Sequence, residues 1–172
     1  SFSFELAVIV QDGLRRMFVE QEDVYYYLTV ENENYEHPDM PEGVEDGIIR
    51  GLYRFRQAET RAERHVNLMS CGSIMNQAIL AAERLAEDFG VTADIWAATS
   101  FTELARDGQD CHRAARLDPL GEPRTPYVTR ALADADGPVI AATDYMKAFA
   151  EQIRAFVPRP YHTLGTDGFG RS

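Results

Sequence analysis

The chain has 172 residues and a mass of 19.4 kDa, with 45% hydrophobic and 26% charged residues. That is a globular composition, and a size of one domain or a little more. Acidic residues outnumber basic ones by 28 to 17, for a net charge of −11, which argues against nucleic acid or an anionic membrane surface as the main partner. Apolar stretches such as Val139–Ala142 are far shorter than the roughly 20 residues of a membrane span, and no basic region precedes an apolar run, as a signal peptide would require.

Taken in chain order, the sequence opens in a helical pattern. Leu6, Ile9, Gly13, Leu14, Met17 and Phe18 recur at three- and four-residue spacing, with Arg15, Arg16 and Glu20 opposite. Val24–Val30 is dense in β-branched and aromatic residues and reads as a strand, apolar on both faces as in the middle of a covered sheet. Glu31–Asp46 then holds seven acids, two prolines and no Lys or Arg, the composition of an exposed linker and of a domain boundary. A short helix over Gly43–Arg50 would close it.

From Gly51 an α/β alternation sets in. Gly51–Phe55 reads as a strand, Gln57–Arg64 as a polar turn, His65–Ser70 as a strand and Cys71–Ser73 as a tight turn. Ile74–Phe89 is the clearest helix, striped by Ile74, Ala78, Ala82 and Leu85, and Gly90 stops it where positive φ is cheap. Asp94–Thr99 reads as a strand, and Ser100–Glu122 as a polar stretch. A helix over Tyr127–Ala133 and a strand over Val139–Thr143 follow. A helix over Tyr145–Phe156 is expected next, capped by Asp144, with Tyr145, Phe149, Ile153 and Phe156 facing inward. Tyr161–Gly165 is the last strand. Strand–helix–strand at this spacing implies a mostly parallel sheet with flanking helices. Functional loops of such sheets lie beyond the carboxyl ends of the strands, here Cys71–Ser73, Ser100–Asp110, Asp144–Tyr145 and Thr166–Gly170. The chain starts without Met and stops at Gly168–Ser172 directly after a strand, so it reads as a segment of a longer polypeptide.

Candidate chemistry is sparse. Cys71-Gly72-Ser73 at a helix start has the form of an anion-accepting turn, although a plain strand-to-helix turn is the simpler reading. Cys71 as a nucleophile needs a nearby base. His65 and His112 are the candidates, and nothing in the spacing places either beside it. Asp107, Asp110 and His112 have the chemistry to hold a metal or to act as acid and base, but Asp and Gly in turns usually serve backbone geometry. His37, His65, His112 and His162 show no paired metal-ligand spacing. Asp167-Gly168-Phe169-Gly170 reads as a glycine-rich loop rather than a kinase element. The acidic stretch 31–46 is either a solvated run or a dock for a basic partner. Cys71 and Cys111 belong to no C-x-x-C pair and fit a reducing cytoplasm, with a disulfide between them as the alternative.

Several strings go further. Val24-Tyr25-Tyr26-Tyr27, Glu33-Asn34-Tyr35 and Met40-Pro41-Glu42-Gly43 resemble the end of the middle domain and the linker of the homodimeric, thiamine-dependent first component of the bacterial pyruvate dehydrogenase complex. Ser100–Cys111 (SFTELARDGQDC), Thr143–Lys147 (TDYMK) and Leu164–Ser172 (LGTDGFGRS) continue the resemblance. It covers essentially the whole chain, with departures at Glu36-His37 and within Gln57–Arg64. The resemblance implies a transketolase-like protein of three α/β domains. Residues 1–31 would be the end of the middle, pyrimidine-binding-type domain, 32–50 the acidic linker, and 51–172 an incomplete C-terminal α/β domain. It implies oxidative decarboxylation of pyruvate with thiamine diphosphate and Mg²⁺, acetyl transfer to a lipoyl arm of dihydrolipoyl acetyltransferase, a homodimer and a cytoplasmic location. The family's Gly-Asp-Gly metal motif is missing: the Asp-Gly pairs at Asp12, Asp46, Asp107 and Asp167 follow Gln, Glu, Arg and Thr. No catalytic, cofactor-binding or metal residue is therefore assigned, and the segment is expected to be structural, to support the dimer and to bind no cofactor itself. The alternatives are a stand-alone α/β binding or assembly module, or a piece of another transketolase-like enzyme.

Overall fold

The computed structural model describes residues 2–31 and 34–168. Five strands form one sheet in the order β1-β3-β2-β4-β5. They are β1 (Tyr53–Arg56), β2 (Arg64–Ser70), β3 (Val91–Ala97), β4 (Val139–Met146) and β5 (Tyr161–Thr166). Four of them run parallel, and β1 pairs antiparallel with β3 at the edge, with a bulge between Arg54 and Arg56. From the edge strand β1 the chain passes to β2, crosses through α3 (Ile74–Phe89) to β3 on one side, then returns over β2 to β4 on the other. The strand order therefore reverses between β2 and β4.

Alternation along the strands sends side chains into two layers. On one face Phe2, Ile48, Tyr53, Met75, Ile95 and Ala97 form a core beneath α1 (Ser3–Leu14), α2 (Glu45–Arg50) and α3. On the other face Met69, Trp96, Leu104, Val128, Ala141 and Ile153 pack beneath α4 (Phe101–Leu117), α5 (Tyr127–Ala131) and α6 (Lys147–Glu151). Asn67, fully buried in β2, crosses strands: Trp96 Nε1 donates to its Oδ1 at 3.0 Å, and its Nδ2 donates to the carbonyl of Asp136 at 2.5 Å. A neutral side chain thereby satisfies two buried polar groups on β3 and on the approach to β4.

Several expectations are corrected. Val24–Val30 forms no strand; Tyr25 and Tyr27 are 88% and 85% exposed. A strand needs a neighbour for its N–H and C=O groups, and among the described residues this segment has none. In α1 the buried positions are Glu5, Asp12 and Gly13, while Leu14 and Phe18 are exposed. The polar residues are buried because each has a partner: Tyr53 Oη donates to Glu5 at 2.8 Å, and Tyr26 Oη donates to Asp12 at 2.6 Å. The chain after α1 continues in a π-turn over Arg15–Val19.

The polar stretch Ser100–Glu122 is largely a helix. Phe101, Leu104, Ala105, Gly108 and Cys111 line the buried face of α4, and Ser100 Oγ accepts the Glu103 N–H at its start. The helix expected over Tyr145–Phe156 is instead broken. β4 continues through Asp144 to Met146, held by the Tyr145 N–H donating to Thr143 Oγ1 at 3.1 Å, so Asp144 caps nothing. Helix α6 covers only Lys147–Glu151, and a 3₁₀ turn follows over Arg154–Phe156. Ile153 and Phe156 are buried as expected, but Tyr145 and Phe149 are exposed and lie against each other with ring centres 5.6 Å apart. The final loop, Thr166–Gly170, lies partly outside the described residues.

Gly108 explains the low apolarity of α4: a Cβ there would stand 2.4 Å from the Phe156 ring. Gly108→Ala is expected to lower stability by about 1–3 kcal/mol through overpacking, despite the better helix propensity of Ala. Urea unfolding of the two proteins measures it; an unchanged or raised midpoint contradicts the close approach.

Candidate functional site

In an open parallel sheet, the crevice for a ligand opens where strand order reverses, beyond the carboxyl ends. Here that place lies between the ends of β2 and β4 and is built by Cys71, Gly72 and Ser73 on one side and Thr143 and Asp144 on the other. The Cys71 thiol donates to Thr143 Oγ1 at 3.3 Å, with Asp144 Oδ1 at 3.9 Å. Gly72 has φ of +57°, and a Cβ on it would lie 3.4 Å from both an Asp144 and a Glu31 carboxylate oxygen. The turn thus sits beneath two carboxyl groups, one from β4 and one from the linker.

The turn Cys71–Ser73, weighed as an anion seat but read more simply as a plain strand-to-helix turn, has the Glu31 carboxylate of the chain itself beside Gly72. The neighbouring Asp144 and Ser73 hold the Glu31 carboxyl below the usual glutamate range. Asp144 moves the other way. Burial, and then the Glu31 carboxylate, push its pKa up to about 6. One proton shared by two facing carboxyls is the arrangement that avoids two adjacent charges. Sequence reading missed Glu31 as a partner of this turn because it reaches the sheet from a distant linker, with no local motif to announce it.

Cys71 is not an activated nucleophile. Burial pushes its thiol up to about 11, and neighbouring carboxyls add to the effect rather than oppose it. His65 begins the same strand that Cys71 follows, so about 20 Å of extended chain separates them. His65 Nδ1 lies 2.8 Å from Thr92 Oγ1, and its Nε2 lies 3.6 Å from Asp94; burial lowers its pKa. His112 packs edge-on against Phe156 at 4.9 Å. Asp107 accepts the Tyr127 N–H at 2.5 Å and so tethers the start of α5, while Asp110 is exposed. The structure therefore scatters Asp107, Asp110 and His112 on α4 instead of gathering them. Cys71 and Cys111 are both free thiols.

The end of β4 and β5 forms a second, shallow groove of about 410 Å³, lined by Met146, Lys147, Glu151 and Asp167. Lys147, the sole lysine, is ion-paired with Asp167, so its charge is already matched. Among the described residues no helix is long and apolar enough to cross a membrane.

An open, mostly parallel sheet with an antiparallel edge strand and helices packed on both faces is an α/β domain of the doubly wound class. Residues 51–172 match the model of the transketolase-like C-terminal domain, and the chain belongs to that family. Residues 1–38 match the middle domain of the pyruvate dehydrogenase E1 component. More particularly, the chain is 58% identical over 173 residues to the pyruvate dehydrogenase E1 component of Cupriavidus necator, covering all of this chain and 19% of that protein. It is 53% identical to that of Escherichia coli K12 and 50% identical to that of Pseudomonas aeruginosa, again over the whole chain and 19% and 20% of those proteins. The chain spans about a fifth of the length of these curated relatives. Among solved structures, a Pichia stipitis transketolase aligns over 79% of this chain and 16% of its own, at 17% identity and a TM-score of 0.47.

The thiol chemistry is directly testable. In the native protein at neutral pH neither cysteine should react with iodoacetamide on the timescale that labels a free thiol, and both should label once urea unfolds the chain. Fast native labelling of Cys71 would show a lowered pKa that this environment does not provide.

Proposed function

We propose that this chain is part of a thiamine diphosphate-dependent pyruvate dehydrogenase component. Residues 1–31 end its middle domain, 32–50 link, and 51–172 form part of its C-terminal domain. The parent protein decarboxylates pyruvate and passes the acetyl group to the lipoyl arm of a dihydrolipoyl acetyltransferase partner, as a cytoplasmic homodimer. The observation that carries this reading is identity of 50–58% along the entire chain to proteins of that name. The segment itself is structural: it braces the middle domain and supports the dimer.

Thiamine diphosphate with Mg²⁺ supplies the carbanion chemistry of that reaction when bound, and the residues present here do not fit it. The amino end of α3, the natural seat for a phosphate, is taken by the Glu31 carboxylate, and Asp144 adds a second acid beside it. No catalytic step is assigned to residues of this chain.

Placing Val24–Val30 in the sheet of the middle domain is supported by its β-branched and aromatic pattern together with the exposure of Tyr25, Tyr27 and Val30 here. Amide exchange over this segment should be slow in the full-length protein and fast in polypeptide 1–172; equal rates would detach the segment from any sheet.

Two measurements test the function. The full-length protein should release CO₂ from pyruvate only with thiamine diphosphate and Mg²⁺ present, and fail to do so with a sugar phosphate. Calorimetric titration of thiamine diphosphate and Mg²⁺ into polypeptide 1–172 should give no binding heat. Micromolar binding there, or turnover of a keto acid by that polypeptide alone, overturns the proposal.

A further inference from the structure

The boundary between the two matched domains is a buried contact and not a free joint. Phe2, Val8 and Ile9, within the middle-domain match, share one core with Ile48 and with Tyr53 and Ile95 of the C-terminal match. The Phe2 ring lies 5.5 Å from Phe55 of β1, and 6.3 and 6.1 Å from the linker rings of Tyr35 and His37. His37 Nδ1 accepts the Ser3 N–H at 2.9 Å, and α2 packs against α1 at the same boundary. The amino end of α1 is thus wrapped by β1, α2 and the linker.

Inside this apolar boundary stands one carboxyl group. Glu5 is 3% exposed and Tyr53 4%. The two oxygens of Glu5 are divided between the domains. Oε2 accepts the Phe2 N–H at 2.7 Å, in the first turn of its own helix, and Oε1 accepts the Tyr53 hydroxyl at 2.8 Å from β1. Burial pushes the Glu5 pKa up; the Tyr53 and Phe2 donors, and then the charges of the amino terminus and His37, oppose it. Burial, and then the Glu5 charge, push the Tyr53 phenol up, so it remains a donor.

Ring contacts give such a boundary area but little direction, because aromatic pairs accept a range of offsets and tilts. A buried hydrogen bond is less tolerant. If α1 slides or turns on β1, a hydroxyl and a carboxylate are left without partners among apolar side chains.

We propose that the Glu5–Tyr53 hydrogen bond is the lock that fixes the middle domain at one angle on the C-terminal domain, so that the two open as one body. The lock rests on the domain division proposed above and not on the substrate. Glu5 and Tyr53 are positioning residues: they touch no reacting group and act through the placement of α1.

Hydrogen exchange in the full-length protein tests this. In Tyr53→Phe, protection of the Ser3 amide and of α2 (Glu45–Arg50) should fall at least about tenfold, the loss of one hydrogen bond to a charged group. Amides of α3 (Ile74–Phe89) should keep their wild-type protection, since they open with the C-terminal sheet. An equal fall across α3 is a global loss of stability and overturns the lock. In a Glu5→Leu background the contact is already gone, so adding Tyr53→Phe should cost less than about twofold. The same cost in both backgrounds also overturns it. Where Glu5→Leu does not fold, Tyr53→Phe decides alone, by whether its loss is confined to Ser3 and α2 or shared by α3. Release of CO₂ from pyruvate is read separately: a protein that lacks it but shows the confined loss refutes that activity and leaves the lock standing.

Discussion

The arrangement depends on the buried amide of Asn67. It stands in the central strand, accepts from the Trp96 indole of β3 on one side and donates to the Asp136 carbonyl just before β4 on the other. Apolar packing between strands would tolerate several registers, since Leu, Val, Ile and Met are close to interchangeable in a core. A buried polar side chain does not, because a slip leaves a donor and an acceptor without partners in a dry interior. One residue thus ties the sheet together on both sides of the point where its strand order reverses.

Most of the sheet was legible in the residues. The strands at His65–Ser70 and Val139–Thr143 and the helix Ile74–Phe89 carry strong periodicity, and the structure places elements there. Where the reading failed, a tertiary contact overrode the local pattern. α4 looked like a loop because Asp107-Gly108 imitates a turn; in the fold Gly108 makes room for the Phe156 ring and Asp107 tethers α5. The start of that helix was nonetheless written out, since Ser100 and Glu103 have the spacing of an amino-terminal cap. Val24–Val30 shows the opposite failure. Its pattern is that of a strand, but backbone pairing is supplied by a neighbour, and a strand pattern without one stays irregular.

The crevice was legible only in part. Its location follows from strand order, and the turn Cys71–Ser73 was singled out from residue types alone. Its occupant was not, because Glu31 belongs to a stretch that composition marks as solvated linker. Charge runs do remain mostly in water, and Glu31 is one member of this run that lies against the fold, beside Gly72. His112 is set apart by helical geometry, which turns residues two and five apart away from one another, while Asp107 is already committed to the Tyr127 N–H.

The antiparallel strand β1 gives the sheet a direction of growth. It is four residues long, carries a bulge between Arg54 and Arg56, and spreads the Arg54 guanidinium over the Trp96 ring at 4.8 Å. A short, kinked, arginine-bearing margin offers a poor template to another chain. The opposite margin, β5, is six residues long and topped by the largely exposed Leu164, its pairing with β4 shifting register between Ala142 and Met146. Additional polypeptide that extends this sheet, from the same molecule or another, would therefore be added at β5, making the domain a one-ended platform.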